Sequence, residues 1–305
     1  MRTLFIDATD ELQAVFARVY RPGEDVPTDC HRTDHVAPEQ LPGLTAGYDA
    51  IMDDHSYLPT EFMAQCKGLR HVIFLGTGAR SYMDVDALQA LGIQVHTIRG
   101  YGDTAVAEHT IALMWAAARD IGNMHAAIRA GEWPRTEGLQ LTGRTLGLLG
   151  YGGIAAEVAR IAAGSGMRVL AWNRTPRPSP HVTFVDLDTL LAESDVLSLH
   201  LLLCDETRGI LSAARMAQMK KGAILVNTAR AGLLDETALV AALQNGHIAH
   251  AALDVFSEEP LPPENPWRGL ANVTLTAHSA FRTPEASERL LRMGLDIGKS
   301  LSQVT

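Results

Sequence analysis

Three segments of the sequence place a reactive side chain where a strand is expected to end. Residues 226–232 (VNTARAG) carry Arg230, residues 252–260 (ALDVFSEEP) carry Glu259, and residues 275–280 (LTAHSA) carry His278. In an open α/β sheet the carboxyl ends of the strands border the ligand crevice. An arginine there can hold a carboxylate through a bidentate fork. A glutamate bonded to one imidazole nitrogen fixes the tautomer and stabilises the imidazolium. The other nitrogen is then available to exchange a proton with a substrate oxygen. Taken singly, each residue has a plain structural explanation. Arg230 could cap a helix, Glu259 follows Glu258 in a proline-rich loop, and His278 is one of twelve histidines. Their placement at successive strand ends favours a joint chemical role.

A second constellation lies upstream. Residues 145–149 (TLGLL) read as a strand, and residues 150–155 (GYGGIA) as a glycine turn opening a helix. Gly150 permits the tight turn, Gly152 lets the backbone approach a pyrophosphate, and the small Ala155 lets the helix pack on the strand. Tyr151, Gly153 and Ile154 complete the turn and the first helical residues. The helix start offers N–H groups and a positive dipole end to the phosphates. A bare match of this kind is weak, but the flanking strand and helix supply the context that the motif requires. The next strand ends at Asn173-Arg174-Thr175, with Arg177 beyond. An NAD site usually has Asp or Glu about 20 residues past the turn. Neutral Asn173 and cationic Arg174 suit a 2′-phosphate instead. NADP(H) is therefore the expected preference, with NAD(H) also possible. A dinucleotide beside Arg230, Glu259 and His278 points to hydride and proton exchange with a small 2-oxo or 2-hydroxy acid.

These residues need a sheet to hold them. Short apolar runs alternate with helical patterns, which predicts βαβ units and parallel sheets. In the first part strands are expected at Thr3–Ile6, Ala50–Met52, Val72–Leu75 and Gln94–Thr97, with helices at Glu11–Val19, Glu61–Gln65 and Val85–Leu91. Residues 21–44, rich in Pro, Asp and His, predict loops and one weak strand. Thr104–Ile121 predicts a long helix leading into a second domain, and Arg129–Leu141 a loop. Six strands are then expected, at Thr145–Leu149, Arg168–Trp172, Val196–Leu201, Ala223–Asn227, His250–Val255 and Val273–Thr276. Helices are expected at Ile154–Ala163, Asp188–Glu193, Ala213–Met219 and Glu236–Gln244. A last helix over Pro284–Leu301 has Thr283 as cap and proline at its first position, and is expected to return to the first domain.

The bulk numbers exclude several classes. The 305 residues suffice for two domains. A net charge of −9 argues against general nucleic-acid binding. Asp7 and Asp10 interrupt the N-terminal apolar stretch, so no signal peptide is expected, and no apolar run is long enough to span a membrane. The cysteines Cys30, Cys66 and Cys204 are odd in number and widely spaced, which suggests a reducing cytoplasm and neither disulfides nor zinc. His247 and His250, three apart, lack a third ligand.

The sequence resembles the D-isomer-specific 2-hydroxyacid dehydrogenases. The resemblance lies in GLLGYGGIAAEVAR, SDVLSLHLLLCDETRGIL, ILVNTARAGLLDETALVAAL, AALDVFSEEPLP and TAHSAFRTPEA, with FLGTGARSYMDVDAL and GYGDTAVAEHTIALM upstream, over roughly residues 70–290. It implies an α/β fold of two domains, a flavodoxin-like substrate-binding domain (residues 1–98 plus 283–305) and a Rossmann-type doubly wound nucleotide-binding domain (residues 99–282). It implies that Arg230 binds the substrate, that His278 is the general acid/base and that Glu259 is its partner. Asp254 would hold the nicotinamide carboxamide. Backbone amides at Gly76, Thr77 and Gly78 would grip the substrate carboxylate. Thr207, Thr228 and Ala229 would lie along the cofactor. Leu202 and Cys204, at its adenine side, replace the family's frequent proline and threonine. Ala231 and Ala277 replace a common glycine and proline. The run at 173–178 (NRTPRP) is similar to that of NADPH-using glyoxylate and hydroxypyruvate reductases. The family is usually dimeric, and Trp133 is the candidate to reach a partner subunit's site. Two rival readings are a nucleotide-sensing binding protein on this fold and a dehydrogenase for formate or phosphite.

Overall fold

The computed structural model describes residues 1–304 and divides the chain into two compact units. The first comprises Met1–Gly102 and the chain from Arg282 onward. Its elements are β1 (Thr3–Phe5), α1 (Asp10–Val19), β2 (Thr28–Cys30), α2 (Leu41–Leu44), β3 (Ala50–Asp53), α3 (Thr60–Met63), β4 (His71–Phe74), α4 (Val85–Ala90) and β5 (Gln94–Thr97). The strands form one parallel sheet in the order β2-β1-β3-β4-β5. Every residue of β1 and β3 is buried, as expected for strands covered on both faces. The weak strand expected within residues 21–44 is β2. That stretch also holds α2, where loop was expected. Pro42 and Gly43 look like loop residues, but proline fits the first turn of a helix.

The second unit is Asp103–Phe281. It contains α5 (Asp103–Ala118), α6 (Ile121–Arg129), β6 (Thr145–Leu149), α7 (Gly153–Gly164), β7 (Arg168–Trp172), β8 (Thr183–Phe184), α8 (Leu187–Glu193), β9 (Val196–Leu199), α9 (Ala213–Gln218), β10 (Ala223–Asn227), α10 (Glu236–Gln244), β11 (Ile248–Leu253) and β12 (Val273–Leu275). All seven strands run parallel, in the order β12-β11-β10-β9-β6-β7-β8. The order reverses at β6, the doubly wound switch point where ligands bind in such sheets. Six strands were expected; the seventh, β8, is two residues long and too short to show a pattern. The long helix expected over residues 104–121 instead ends at Ala118. Asp120 takes a left-handed conformation (φ 52°), and α6 starts afresh beyond it. β11 lies two residues earlier than expected, which puts Asp254 just past its end.

The final helix, α11 (Pro284–Val304), belongs to the first unit. Thr283 Oγ1 accepts the Ala286 amide at 3.2 Å, the cap that the sequence suggested. Leu290, Leu291 and Leu295 are buried against Phe5, Met52 and Ile73 of the sheet.

Candidate active site

Arg230, Glu259 and His278 follow β10, β11 and β12, three adjacent strands, at the same end of the sheet. At the first of these ends Asn227 shapes the backbone. Its Oδ1 accepts the Ala229 amide (3.0 Å) and its Nδ2 donates to the Arg230 carbonyl (3.0 Å), a side-chain-closed turn. Thr228 Oγ1 lies 2.8 Å from Thr110 Oγ1 of α5. Arg230 is half-buried, and its Nη1 donates to the Ala229 carbonyl at 2.7 Å.

The next two strand ends meet. Glu259 Oε1 accepts the Phe256 amide (2.8 Å), and Oε2 accepts from His278 Nδ1 (2.6 Å). The imidazole and the carboxylate are each about one-third exposed, at 34%. With Nδ1 engaged, Nε2 is the nitrogen left for proton exchange. His278 itself has φ 49°, a left-handed backbone that costs a non-glycine residue about 1–3 kcal/mol. Asp254 holds it there. The Asp254 carbonyl accepts the His278 amide (2.8 Å), Oδ1 accepts the Ser279 amide (2.9 Å), and Oδ2 accepts the Ala280 amide (3.0 Å). Burial pushes the Asp254 carboxyl up, but His109, whose Nε2 lies 3.6 Å from Oδ1, the Thr276 hydroxyl and the amides of Ser279 and Ala280 outweigh it and keep the group below its ordinary value. Asp254 is fully buried and bonded within its own chain. His109 Nε2 lies 3.0 Å from Thr276 Oγ1, which lies 2.6 Å from Asp254 Oδ1. The sequence assigns no site role to His109 or Thr276. The only signal was a lone histidine in an otherwise alanine-rich helix.

At the switch point the glycines fit a bound dinucleotide. Gly150 (φ 99°) is required by the fold, since a Cβ there would sit 2.8 Å from the His200 carbonyl group. Gly152 is different: an added Cβ would meet no protein atom within 4 Å. Space kept clear by a glycine that the fold does not demand is what close approach of a pyrophosphate needs. Gly153 starts α7 with Asp103 packed against it, and Ala155 is fully buried. Ile154 is half-buried against the core under the turn. The loop after β7 is tied to the turn. The Tyr151 amide reaches Asn173 Oδ1 (3.4 Å), the Tyr151 hydroxyl bonds Ser179 Oγ (2.7 Å), and Asn173 Nδ2 donates to the Thr175 carbonyl (2.9 Å). Arg174 and Arg177 are exposed. Thr207 Oγ1 accepts the Cys204 amide (2.9 Å) and donates to the Leu202 carbonyl (2.6 Å), closing a turn that leaves Leu202 69% exposed. Glu206 in that turn is held below its ordinary value by the Cys204 thiol, with the Arg174 charge contributing.

In the first unit, Gly76–Gly78 follow β4. The Gly76 amide donates to the Phe74 carbonyl at 2.9 Å and is thus committed within the chain. His247 and His250 bond separately, to the Met216 carbonyl and Thr274 Oγ1. Among the described residues no three His, Cys, Asp or Glu side chains are grouped to hold a metal.

A doubly wound sheet with a dinucleotide turn at its switch point, and an imidazole–carboxylate pair with an arginine at neighbouring strand ends, defines the class as a nicotinamide-dependent oxidoreductase. Residues 111–280 match the D-isomer specific 2-hydroxyacid dehydrogenase, NAD binding domain. A glyoxylate reductase of Aeropyrum pernix is 40% identical over 249 residues, 77% of this chain and 74% of that protein. A hydroxypyruvate reductase of Blautia hydrogenotrophica is 32% identical over 276 residues, 87% of this chain and 85% of that one. An acyclic imino acid reductase solved with NADPH and D-Arg superposes with a TM-score of 0.85 at 28% identity, covering 99% and 98% of the two chains. The chain belongs to the D-isomer-specific 2-hydroxyacid dehydrogenase family, and its cofactor is a nicotinamide dinucleotide.

Proposed function

We propose that the chain reduces a small 2-oxo acid, of the glyoxylate or hydroxypyruvate type, to the D-2-hydroxy acid, with NADPH preferred over NADH. The observation that carries this reading is the 2.6 Å bond between His278 Nδ1 and Glu259 Oε2 at the strand end next to that of Arg230. Arg230 holds the substrate carboxylate and polarises the oxo group. A nicotinamide dinucleotide held at Gly150–Ile154 would supply the hydride that the carbonyl carbon receives. His278 donates the Nε2 proton to the carbonyl oxygen as the C=O π bond becomes a C–O–H group, and Glu259 steadies the imidazolium beforehand. The amides of Thr77 and Gly78 are additional donors to the substrate carboxylate. Gly150–Ile154, Thr207, Thr228 and Ala229 line the dinucleotide, with Leu202 and Cys204 at its adenine side.

NADPH preference rests on Asn173 and the exposed Arg174, with no acidic side chain in the run 173–178 to repel a 2′-phosphate. The likeness to a reductase solved with NADPH supports it. Oxidation of NADPH and NADH should be followed against glyoxylate, hydroxypyruvate, pyruvate and bulkier oxo acids. kcat/KM should favour NADPH by roughly tenfold or more, as expected for one charge-assisted contact, and Arg174→Ala should remove most of that ratio. Equal or better use of NADH overturns the preference. No turnover of any oxo acid overturns the reaction.

We further assign a homodimer in the cytoplasm. α6 exposes Ile121 and Ile128, and Trp133 beyond it is 77% exposed, an apolar surface of the sort that marks an interface. Cys30, Cys66 and Cys204 are all free thiols, as a reducing compartment keeps them. Light scattering should give twice the chain mass, and Trp133→Ser with Ile128→Ser should shift it toward the monomer. A monomeric wild-type mass sinks the assignment. No helix among the described residues is long and apolar enough to cross a membrane.

A further inference from the structure

We infer that His109 and Thr276 are positioning residues for the general acid/base, acting through Asp254. The inference rests on the assignment of His278 above. An ionised carboxylate can only accept, so the Thr276 hydroxyl donates its proton to Asp254 Oδ1 (2.6 Å). Thr276 Oγ1 therefore accepts from His109, whose Nε2 lies 3.0 Å away. The direction of the chain is fixed: His109 Nε2–H to Thr276 Oγ1–H to Asp254 Oδ1. Bonds that run one way polarise each other, and here they end on the buried Asp254 carboxylate.

The chain matters because of what else Asp254 holds. Its two carboxylate oxygens take the amides of Ser279 and Ala280, and its carbonyl takes the amide of His278. Thr276 grips the same carboxylate from the other side of His278. One buried side chain thus brackets the residue at both flanks, and the unfavourable φ of 49° is the conformation so enforced. Without the Thr276 and His109 donors, the carboxylate is a buried charge with fewer partners, and its grip on the loop weakens. The His278 backbone then relaxes toward an ordinary conformation and carries the ring off Glu259. Displacements of about 1 Å in a reacting group can cost 10²-fold in rate.

The test is steady-state kinetics on Thr276→Val, Thr276→Ser, His109→Leu and His109→Gln. Dinucleotide Kd by fluorescence and melting temperature are measured alongside. Thr276→Val keeps the shape and loses the hydroxyl; kcat should fall roughly tenfold to a hundredfold, with dinucleotide Kd within about twofold. Thr276→Ser and His109→Gln, which keep a hydroxyl and an N–H donor, should recover most of the rate. His109→Leu should behave as Thr276→Val, and the two together should cost little more than either, because they cut one chain. Should Thr276→Val fail to fold, the quarter-exposed His109 decides the matter through Leu against Gln. Wild-type kcat in both disrupting variants overturns the inference, as does a change confined to dinucleotide Kd or melting temperature. His278→Asn is run in the same assay. If it is inactive while Thr276→Val and His109→Leu run at full rate, only the positioning role fails. If it turns over normally, the acid/base assignment itself fails.

Discussion

Replacing His278 with asparagine should lower kcat by about 10²–10⁴-fold, the usual contribution of a positioned acid/base, while dinucleotide Kd changes by less than about twofold. Asparagine is the informative choice because it tolerates the left-handed backbone that position 278 adopts (φ 49°). The loop can then keep its amide bonds to Asp254, and the loss reports on the imidazole alone. The Nδ1–Glu259 bond of 2.6 Å leaves Nε2 as the only ring nitrogen for proton exchange, so no alternative tautomer can compensate. Glu259→Gln should cost less, roughly tenfold, because glutamine still accepts from Nδ1 but stabilises the imidazolium less. Steady-state kinetics with the best oxo acid, together with a fluorescence titration of the dinucleotide, check both. An asparagine variant that turns over within a few-fold of wild type removes His278 from the mechanism.

Much of this arrangement could be read from residue types alone, for physical reasons. Arg230 stands just beyond β10, a five-residue apolar strand buried throughout, and such strands are unambiguous in sequence. β6, β7 and β10 lie where the sequence put them, and with them the ends that present chemistry. What escaped had no periodic signature. β8 is two residues long, and α6 begins only because Asp120 breaks the run of α5 with a left-handed backbone. The role of Asp254 was hidden differently. The family resemblance marks it for a cofactor contact, and the buried carboxylate also bonds residues 276, 279 and 280. Burial and partner geometry are long-range properties of the fold, so a motif can mark a residue as important without saying what it touches. His109 was invisible for the same reason: Thr276, its partner, lies 167 positions away.

Arg292→Met should destabilise the first unit by about 3–5 kcal/mol, the cost of leaving a buried charge unpaired, and lower its melting temperature by roughly 10 °C or more. Asp25 is buried, with its side chain 1% exposed, and the Arg292 guanidinium of α11 grips it with two bonds of 2.9 and 2.5 Å. Arg292 Nη1 also donates to the Val19 carbonyl at the end of α1 (2.9 Å), and the Arg21 amide donates to Asp25 (2.7 Å). The arginine therefore anchors α11 to the turn after α1. Methionine fills the space of the stem but leaves Asp25 without its counter-charge. Adding Asp25→Leu removes that orphaned charge. The double variant should recover most of the loss, since replacing both partners of a buried pair by apolar groups is often neutral. The two outcomes separate a lost attraction from an uncompensated charge. The pH dependence has a definite sign. The Arg292 guanidinium holds the Asp25 carboxyl below its ordinary value against the opposing effect of burial. A folded-state value below the unfolded one, about 3.9, means that the contribution is complete above that pH and is lost as pH falls through the folded value. Thermal unfolding from pH 7 to pH 3 should therefore show the wild type losing stability relative to the double variant only below about pH 4. A relative loss that sets in between pH 5 and 7 assigns the effect to a different group and removes this pair as the anchor of the helix.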